Sequence, residues 1–167
     1  MSEAADRPKA DGKGKRDTEQ RRAIRQALHD ADRPLSELAE RVNLSKNPCW
    51  RRVRQLEEAG YIRGKVALLD PLKLNLGLTV FVSVRTRQHS LKWFEQFRGA
   101  VESMPEIVEL HRLSGDTDYL LRVVVPDMAA YDRVYRTLIG RIDLDTVSSS
   151  FVMEQLKQTT ELPLEYA

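Results

Sequence analysis

A segment near residue 50 combines arginine, asparagine and glutamine at spacings that suit contact with DNA bases. Wound as a helix at ~100° per residue, residues 46–57 place Cys49, Val53 and Leu56 in one apolar stripe. The opposite side collects Asn47, Arg51, Arg54 and Gln55, with Lys46 and Trp50 on its flanks. The forked side chains of arginine, asparagine and glutamine match the major-groove edges of guanine and adenine. The segment therefore predicts a helix that reads DNA.

The first turn of this helix suits a DNA phosphate. Its amides lack helical partners, which favours an anion beside Ser45 and makes Pro48 tolerable. The sequence leaves open whether Trp50 is a core residue or a DNA contact, whereas Cys49 is predicted to be an apolar filler and not a reactive thiol. The full set of predicted DNA-binding residues is Ser45, Lys46, Asn47, Pro48, Trp50, Arg51, Arg54 and Gln55.

Two further helices are predicted to precede the DNA-reading helix. The first follows a capping-box spacing at Asp17 and Gln20, and its apolar stripe is Ala23, Ile24, Ala27 and Leu28. Pro34 ends it, and Leu35, Leu38, Ala39 and Val42 mark the second helix, for which Ser36 is the expected cap. The third helix runs from Ser45 to about Ala59, and Gly60 closes it. This is the spacing of a helix-turn-helix.

The second half of the chain predicts alternating strands and helices. Strands are expected at 78–85, 107–114, 119–125 and 146–157. Ser90 and Asp127 are expected to cap the two helices between them, and Gly140 to end the second helix. The resulting β-α-β-β-α-β order is that of a ferredoxin-like domain.

The fold class is therefore predicted to be α+β, with an N-terminal helix-turn-helix (winged-helix-like) domain, an extended linker and a C-terminal ferredoxin-like βαββαβ domain. The expected parts are a disordered basic arm at 1–16, the helix-turn-helix domain at 17–60, the linker at 61–74, the ferredoxin-like domain at 75–160 and a tail at 161–167. Residues 1–70 carry a net positive charge, whereas residues 71–167 carry a net negative charge. This asymmetry favours binding of a polyanion by the N-terminal half.

The composition excludes several classes of protein. A single cysteine among 167 residues excludes an internal disulfide framework and a multi-cysteine zinc site. No apolar run approaches the ~20 residues that span a bilayer, and residues 1–16 lack the apolar core of a secretory signal. We therefore expect a cytoplasmic protein with no membrane association, no metal and no cofactor.

The loop Gly115–Asp118 is a second candidate site. A glycine turn exposes backbone amides to a carboxylate, and Asp116 and Asp118 offer negative charge to an ammonium group. Taken alone, the Gly-Asp-Thr-Asp sequence is explained better by a hairpin turn that needs no ligand.

Strand 78–85 also predicts self-association. Val80, Val82 and Val84 alternate with a second set that includes Phe81, so both faces of the strand carry apolar side chains. Helices can cover only one face, and a second protomer is expected to cover the other. A two-fold dimer would match a two-fold symmetric operator.

These features resemble those of the Lrp/AsnC (leucine-responsive, feast/famine) regulators. The similarity includes LSELAERVNLSKNPCWRRVRQLEEAGYIRGKVALLDP at 35–71, GLTVFV, GDTDYLLRVVVPD and SSSFVMEQLKQTTELPL, and it spans about 17–164. Asn43 stands where the family usually has glycine, and asparagine also tolerates a positive φ.

The resemblance implies a regulator of amino-acid metabolism that binds double-stranded DNA and responds to a small amino acid. It implies homodimers that assemble to an octamer, with the effector between neighbouring dimers. The matching effector-binding positions here are Gly115, Asp116, Thr117, Asp118, Ser148, Ser149 and Ser150. The SKNPCW and GKVALLDP segments resemble the branch associated with breakdown of cysteine and other sulfur amino acids, which suggests such an effector.

Two alternatives compete with a regulator. Sirohaem decarboxylases share this architecture, and they use histidine and arginine side chains to modify a tetrapyrrole. The three histidines of this chain, His29, His89 and His111, are widely spaced and form no catalytic pattern. A ferredoxin-like RNA-binding protein would carry aromatic strand motifs that are missing here. The sequence therefore favours a non-enzymatic DNA-binding protein.

Overall fold

The computed structural model describes residue 23 and residues 33–163. The helices are α1 (Leu35–Arg41), α2 (Lys46–Glu58), α3 (Leu91–Glu102) and α4 (Met128–Arg141), with a short 3-10 helix at Leu72–Leu74. The strands are β1 (Leu78–Arg85), β2 (Ile107–Arg112), β3 (Tyr119–Val125) and β4 (Thr146–Phe151). The predicted arm at 1–16, residues 164–167 of the predicted tail and all of the predicted first helix except Ala23 lie outside the described residues. Ala23 itself is helical and buried.

The chain divides into two compact units, one formed by the described residues up to Ala67 with those from Gln158 onward, the other by Leu68–Lys157. In the first unit α1 and α2 pack around Leu38, Ala39 and Cys49. Asn43 adopts the positive φ of 53° expected of it in the turn between these helices.

The predicted cap of α1 is wrong. Pro34 precedes the helix with an extended backbone, and its carbonyl accepts a hydrogen bond from the Leu38 amide at 3.1 Å. Ser36 therefore lies inside the first turn and does not cap it. The end of α2 is as predicted, because Ala59 follows its last residue and Gly60 takes a positive φ of 76°.

The second unit is a four-stranded antiparallel sheet in the order β2-β3-β1-β4. This order and the alternation of elements confirm the ferredoxin-like prediction. One face of the sheet packs against one side of α3 and one side of α4 to form the core of this unit. The buried core residues include Val80, Val82 and Val84 of β1, Leu121 and Val123 of β3, Phe97 of α3 and Leu138 of α4. The other sheet face has no helix of this unit upon it, so we call it the open face.

Both predicted helix caps of this unit are confirmed. The Ser90 hydroxyl accepts a hydrogen bond from the Trp93 amide at 3.2 Å, and the Asp127 carboxylate accepts one from the Ala130 amide at 2.8 Å. Each side chain satisfies an amide that the first helical turn leaves without a backbone partner.

Three predicted ends are wrong. Gly140 lies within α4, which ends where Ile142 becomes extended and buries its side chain. β4 ends at Phe151, not at Lys157: its ladder with β1 closes at the Val80–Phe151 pair, and the Val152 amide then donates to the Thr79 carbonyl at 3.0 Å. β2 ends at Arg112, where the hairpin turn towards β3 starts. Among the described residues, no helix combines the length and the apolar character needed to cross a membrane.

Candidate functional site

The exposed face of α2 carries the residues predicted to read DNA. Cys49 and Leu56 are buried and Val53 is half-buried, so the predicted apolar stripe is correct. Pro48 is half-buried, and the remaining predicted residues all face solvent: Ser45, Lys46, Asn47, Trp50, Arg51, Arg54 and Gln55. The helix therefore presents one continuous basic and amide-rich surface.

Trp50 belongs to this surface and not to the core. Its side chain is 53% exposed. The guanidinium carbon of Arg54 lies over its ring, 5.5 Å from the ring centroid. This is within the distance of a cation–π contact.

Cys49 is confirmed as an apolar filler. Burial raises the pKa of its thiol, and the nearby positive charge of Arg52 offsets only part of that effect. Since the thiolate is the reactive form of cysteine, the buried and protonated Cys49 contributes packing and no nucleophile.

The start of α2 is electropositive. Ser45 has the extended backbone of an N-cap residue, but its hydroxyl makes no capping hydrogen bond. The first turn also contains no acidic side chain. The amides and the positive end of the helix dipole therefore face outward without a compensating carboxylate.

The loop before β3 is built around Asp118. One carboxylate oxygen of Asp118 accepts a hydrogen bond from the Thr86 amide at 2.8 Å, and the Asp118 amide donates to the Val84 carbonyl at 3.0 Å. Thr86 is buried, and Gly115 has a positive φ of 117°. The carboxylate thus joins the loop to the end of β1, a contact that the sequence analysis missed. Asp116 is exposed and Thr117 is half-buried.

The three serines of β4 do not share one environment. Ser149 faces the helices, and its hydroxyl forms a short hydrogen bond with the Tyr131 hydroxyl. Burial raises the pKa of Tyr131, and the hydrogen bond from Ser149 opposes part of that rise. Ser148 and Ser150 pair with Ser83 and Phe81 and are exposed on the open face.

The loop and the serines are not neighbours within one protomer. β1 separates β3 from β4, which places those two strands ~10 Å apart at the usual strand spacing. Ser148 and Ser150 also lie further along the sheet, in the rows of Leu120 and Arg122. A small ligand that touches the loop of one protomer therefore needs a second protomer to reach such serines.

The open face carries a charged cluster that the sequence analysis did not identify. Arg122 forms an ion pair with Glu109 at 2.7 Å, and the other oxygen of Glu109 is 3.2 Å from His111. The hydrogen bond from His111, together with the charge of Arg122, lowers the pKa of Glu109 despite its partial burial. The Nε atom of Arg122 is buried without a hydrogen-bond partner among the described residues.

Apolar side chains surround this cluster. Phe81 of the open face is 36% exposed, and beyond β4 Met153 and Leu156 are 95% and 86% exposed. Together with Arg122 they border a cleft of about 650 Å³. In residues 33–163 with Ala23, no group of three or more His, Cys, Asp or Glu side chains is placed to hold a metal ion.

Comparison with known proteins agrees with this arrangement. Residues 17–63 match the family model of the winged helix-turn-helix DNA-binding domain, and residues 79–162 match that of the Lrp/AsnC ligand binding domain. The chain belongs to the Lrp/AsnC family of transcriptional regulators. As a member, it is a DNA-binding regulator with a ligand-binding domain.

Its relatives are transcriptional regulators too. The DNA-binding transcriptional activator DecR of Escherichia coli K12 is 49% identical over 137 residues, which is 81% of this chain and 90% of DecR. A crystal structure of an AsnC family regulator from Agrobacterium tumefaciens shares 53% identity with a TM-score of 0.85, covering 89% of this chain and 97% of that one. These relatives support a non-enzymatic Lrp/AsnC protein, and nothing in them supports the tetrapyrrole enzyme.

A further structure is a complex with an amino acid. It is a transcriptional regulator from Neisseria meningitidis with bound L-methionine, 37% identical, with a TM-score of 0.84. The match covers 89% of this chain and 96% of that chain.

Proposed function

We propose that this Lrp/AsnC regulator reads its operator with the exposed face of α2. The observation that carries the proposal is the segregation of this helix, with Cys49 and Leu56 buried and Arg51, Arg54 and Gln55 exposed. Arginine and glutamine can form paired hydrogen bonds with guanine and adenine in the major groove. Ser45 and the free amides of the first turn contact a phosphate and fix the register of the helix.

Selection of duplexes from a random DNA pool tests this proposal. The wild-type protein is expected to enrich an inverted repeat, because a two-fold dimer places two α2 helices in successive major grooves. Affinity for the enriched duplex should fall by roughly 0.9 log units per log unit of salt for each phosphate neutralised. Enrichment of no sequence, with salt-dependent binding retained, would contradict base reading by α2.

The effector of the ligand-binding domain is proposed to be a small amino acid, with a sulfur amino acid such as methionine or cysteine as the preferred candidate. The methionine complex of the Neisseria relative supports this class of ligand. The proposed site combines Gly115, Asp116, Thr117 and Asp118 of one protomer with Ser148, Ser149 and Ser150 of a neighbour. An ammonium group needs negative charge, and the exposed Asp116 supplies it without a competing partner among the described residues.

Two members of that set are assigned a supporting role. Asp118 accepts from Thr86, and Ser149 bonds Tyr131, so both side chains have partners before any ligand arrives. We therefore assign direct contact with the amino acid to Asp116 and to the exposed hydroxyls of Ser148 and Ser150. The loop backbone at Gly115, which has a positive φ, supplies amide N–H groups to the carboxylate of the bound amino acid.

A thermal-shift screen of the twenty amino acids, followed by calorimetry, tests the effector site. A ligand that binds only the folded state raises its melting temperature. Asp116→Asn is expected to weaken binding of the best amino acid at least fivefold, and Asp132→Asn, the same change at an exposed position of α4, is the matched control. Equal affinity in wild type and Asp116→Asn would place the effector elsewhere.

The protein is further proposed to form cytoplasmic homodimers through the open face, and to assemble from them to an octamer. Exposed apolar patches bordered by polar residues mark protein interfaces, and Phe81, Met153 and Leu156 form such a patch. A partner protomer would also give the buried Nε of Arg122 an acceptor.

Light scattering tests this assembly. Phe81→Glu is expected to convert the assembly into monomers at micromolar concentration, since a carboxylate would be buried without a partner. Leu91→Glu, an exposed position at the start of α3, is the control that should leave the mass unchanged. An unchanged mass for Phe81→Glu would contradict an interface on the open face.

A further inference from the structure

Trp50 and Arg54 form a pair on the surface proposed to read DNA. A tryptophan 53% exposed on a polar helix face leaves apolar area in water, so packing of the domain core does not account for its position. The Arg54 guanidinium carbon lies 5.5 Å from the centroid of its ring. The two residues are four apart in α2, the separation that makes side chains neighbours on a helix surface.

The ring restrains Arg54 without occupying its donors. A free arginine side chain loses the freedom of several torsions when it binds, and a contact made beforehand removes part of that loss. An indole face attracts the cation but contains no carbonyl or carboxylate oxygen. The N–H groups of the guanidinium therefore stay available for the O6 and N7 acceptors of a guanine.

Arg51 provides the contrast. It is exposed on the same face and adjacent to Trp50 in sequence, but neighbouring residues on a helix point in different directions. No ring contact involves Arg51 in the part of the chain that the structure describes. Any effect that Trp50 has through the cation–π contact must therefore appear at Arg54 and not at Arg51.

We propose that Trp50 is a positioning residue that holds the Arg54 guanidinium ready for a guanine, so that the preference for that base depends on the pair. This inference rests on the proposed reading of DNA by α2. It assigns to Trp50 a role in selecting one base through Arg54, in place of a contact of its own with the duplex.

A double-mutant cycle on the enriched duplex tests the pair. Replacing each guanine in turn by 7-deazaguanine removes its N7 acceptor, and the guanine read by Arg54 is the one whose replacement weakens wild type but not Arg54→Ala. Trp50→Ala is expected to weaken binding to the unmodified duplex about two- to fivefold, the effect of a surface cation–π contact. In the Arg54→Ala background the same change should have no effect, while in the Arg51→Ala background it should keep its full effect.

Conservative variants of Trp50 distinguish the effect of its aromatic ring from that of its apolar volume. Trp50→Phe keeps a ring face and should retain part of the affinity, whereas Trp50→Leu keeps apolar volume without the ring and should behave like Trp50→Ala. An equal loss for Trp50→Ala with and without Arg54 would overturn the proposal, and so would full affinity in Trp50→Leu.

The DNA-reading role of α2 and the positioning role of Trp50 predict different outcomes when they fail. If neither Arg51→Ala nor Arg54→Ala weakens binding, α2 does not read DNA, and both the proposed function and the role of Trp50 are wrong. If both arginine variants weaken binding but Trp50 is not coupled to Arg54, the reading helix stands and only the positioning role is wrong. Thermal melting of each variant confirms that it is folded, and little change is expected because Trp50 lies outside the core.

Discussion

Replacement of Asp118 by alanine is expected to destabilise the ligand-binding domain. The carboxylate accepts a 2.8 Å hydrogen bond from the amide of Thr86, a residue that is only 7% exposed. Alanine would leave this amide without its acceptor in a site with little access to water. A buried donor that loses its partner costs ~1–3 kcal/mol.

This cost translates into a measurable change of melting temperature. For a unit of the size of Leu68–Lys157, the unfolding entropy implies a Tm shift of ~5 °C per kcal/mol of lost stability. Asp118→Ala should therefore lower Tm by roughly 5–15 °C. Asp118→Asn keeps a carbonyl oxygen in place of the carboxylate and should lose less than half as much. Asp116→Ala, an exposed neighbour in the same loop, is the control and should change Tm little.

Scanning calorimetry of the effector-free protein makes this comparison. An ordinary surface substitution changes Tm by only about 1–2 °C. If Asp118→Ala changes Tm by no more than this, the carboxylate does not hold the loop to β1 as assigned. The result also governs how ligand data are interpreted, because loss of effector response in Asp118→Ala could arise from a displaced loop. Asp116→Asn is free of that complication.

Two other predictions concern titratable groups. The lowered pKa of Glu109 means that its ion pair stabilises the fold above the ordinary value of 4.5 and that this contribution is lost as pH falls through the folded-state pKa. Glu109→Gln should therefore have a lower Tm than wild type at pH 7, and the difference should shrink as the pH is lowered below 4.5. A difference in Tm that stays constant across this titration would contradict the assignment. Cys49, the single cysteine, should react with a thiol reagent far more slowly in the native protein than in guanidinium chloride, and equal rates would contradict its burial.

The helices and most strands could be predicted because their signals are local. The apolar stripe of α2 depends only on the helical period, and Ser90 and Asp127 act on amides three residues away. Trp50 lies on the flank of that stripe, where the helical angle does not distinguish core from surface. Its exposure and its contact with Arg54 become visible only in three dimensions.

The parts that could not be predicted depend on strand register. The partner of Asp118 is an amide 32 residues away, brought near by the pairing of β1 with β3. The ion pair of Glu109 with Arg122 depends on an irregularity between Ile107 and Glu109 that brings Glu109 opposite Arg122. With strict alternation, the Glu109 side chain would lie on the helix-facing side of the sheet. A bulge cannot be recognised from the sequence alternation alone, so the ion pair could not be predicted.

The central claim is that the exposed arginines of α2 give this Lrp/AsnC regulator its sequence specificity. Fluorescence anisotropy with the enriched duplex tests it most directly, comparing wild type with Arg51→Ala, Arg54→Ala and Arg133→Ala, the last an exposed arginine of α4. Loss of a base-reading arginine costs about 1–3 kcal/mol, so each α2 variant should bind roughly 5- to 150-fold more weakly while Arg133→Ala binds as wild type does. Unchanged affinity in both α2 variants, or an equal loss in Arg133→Ala, would contradict the claim.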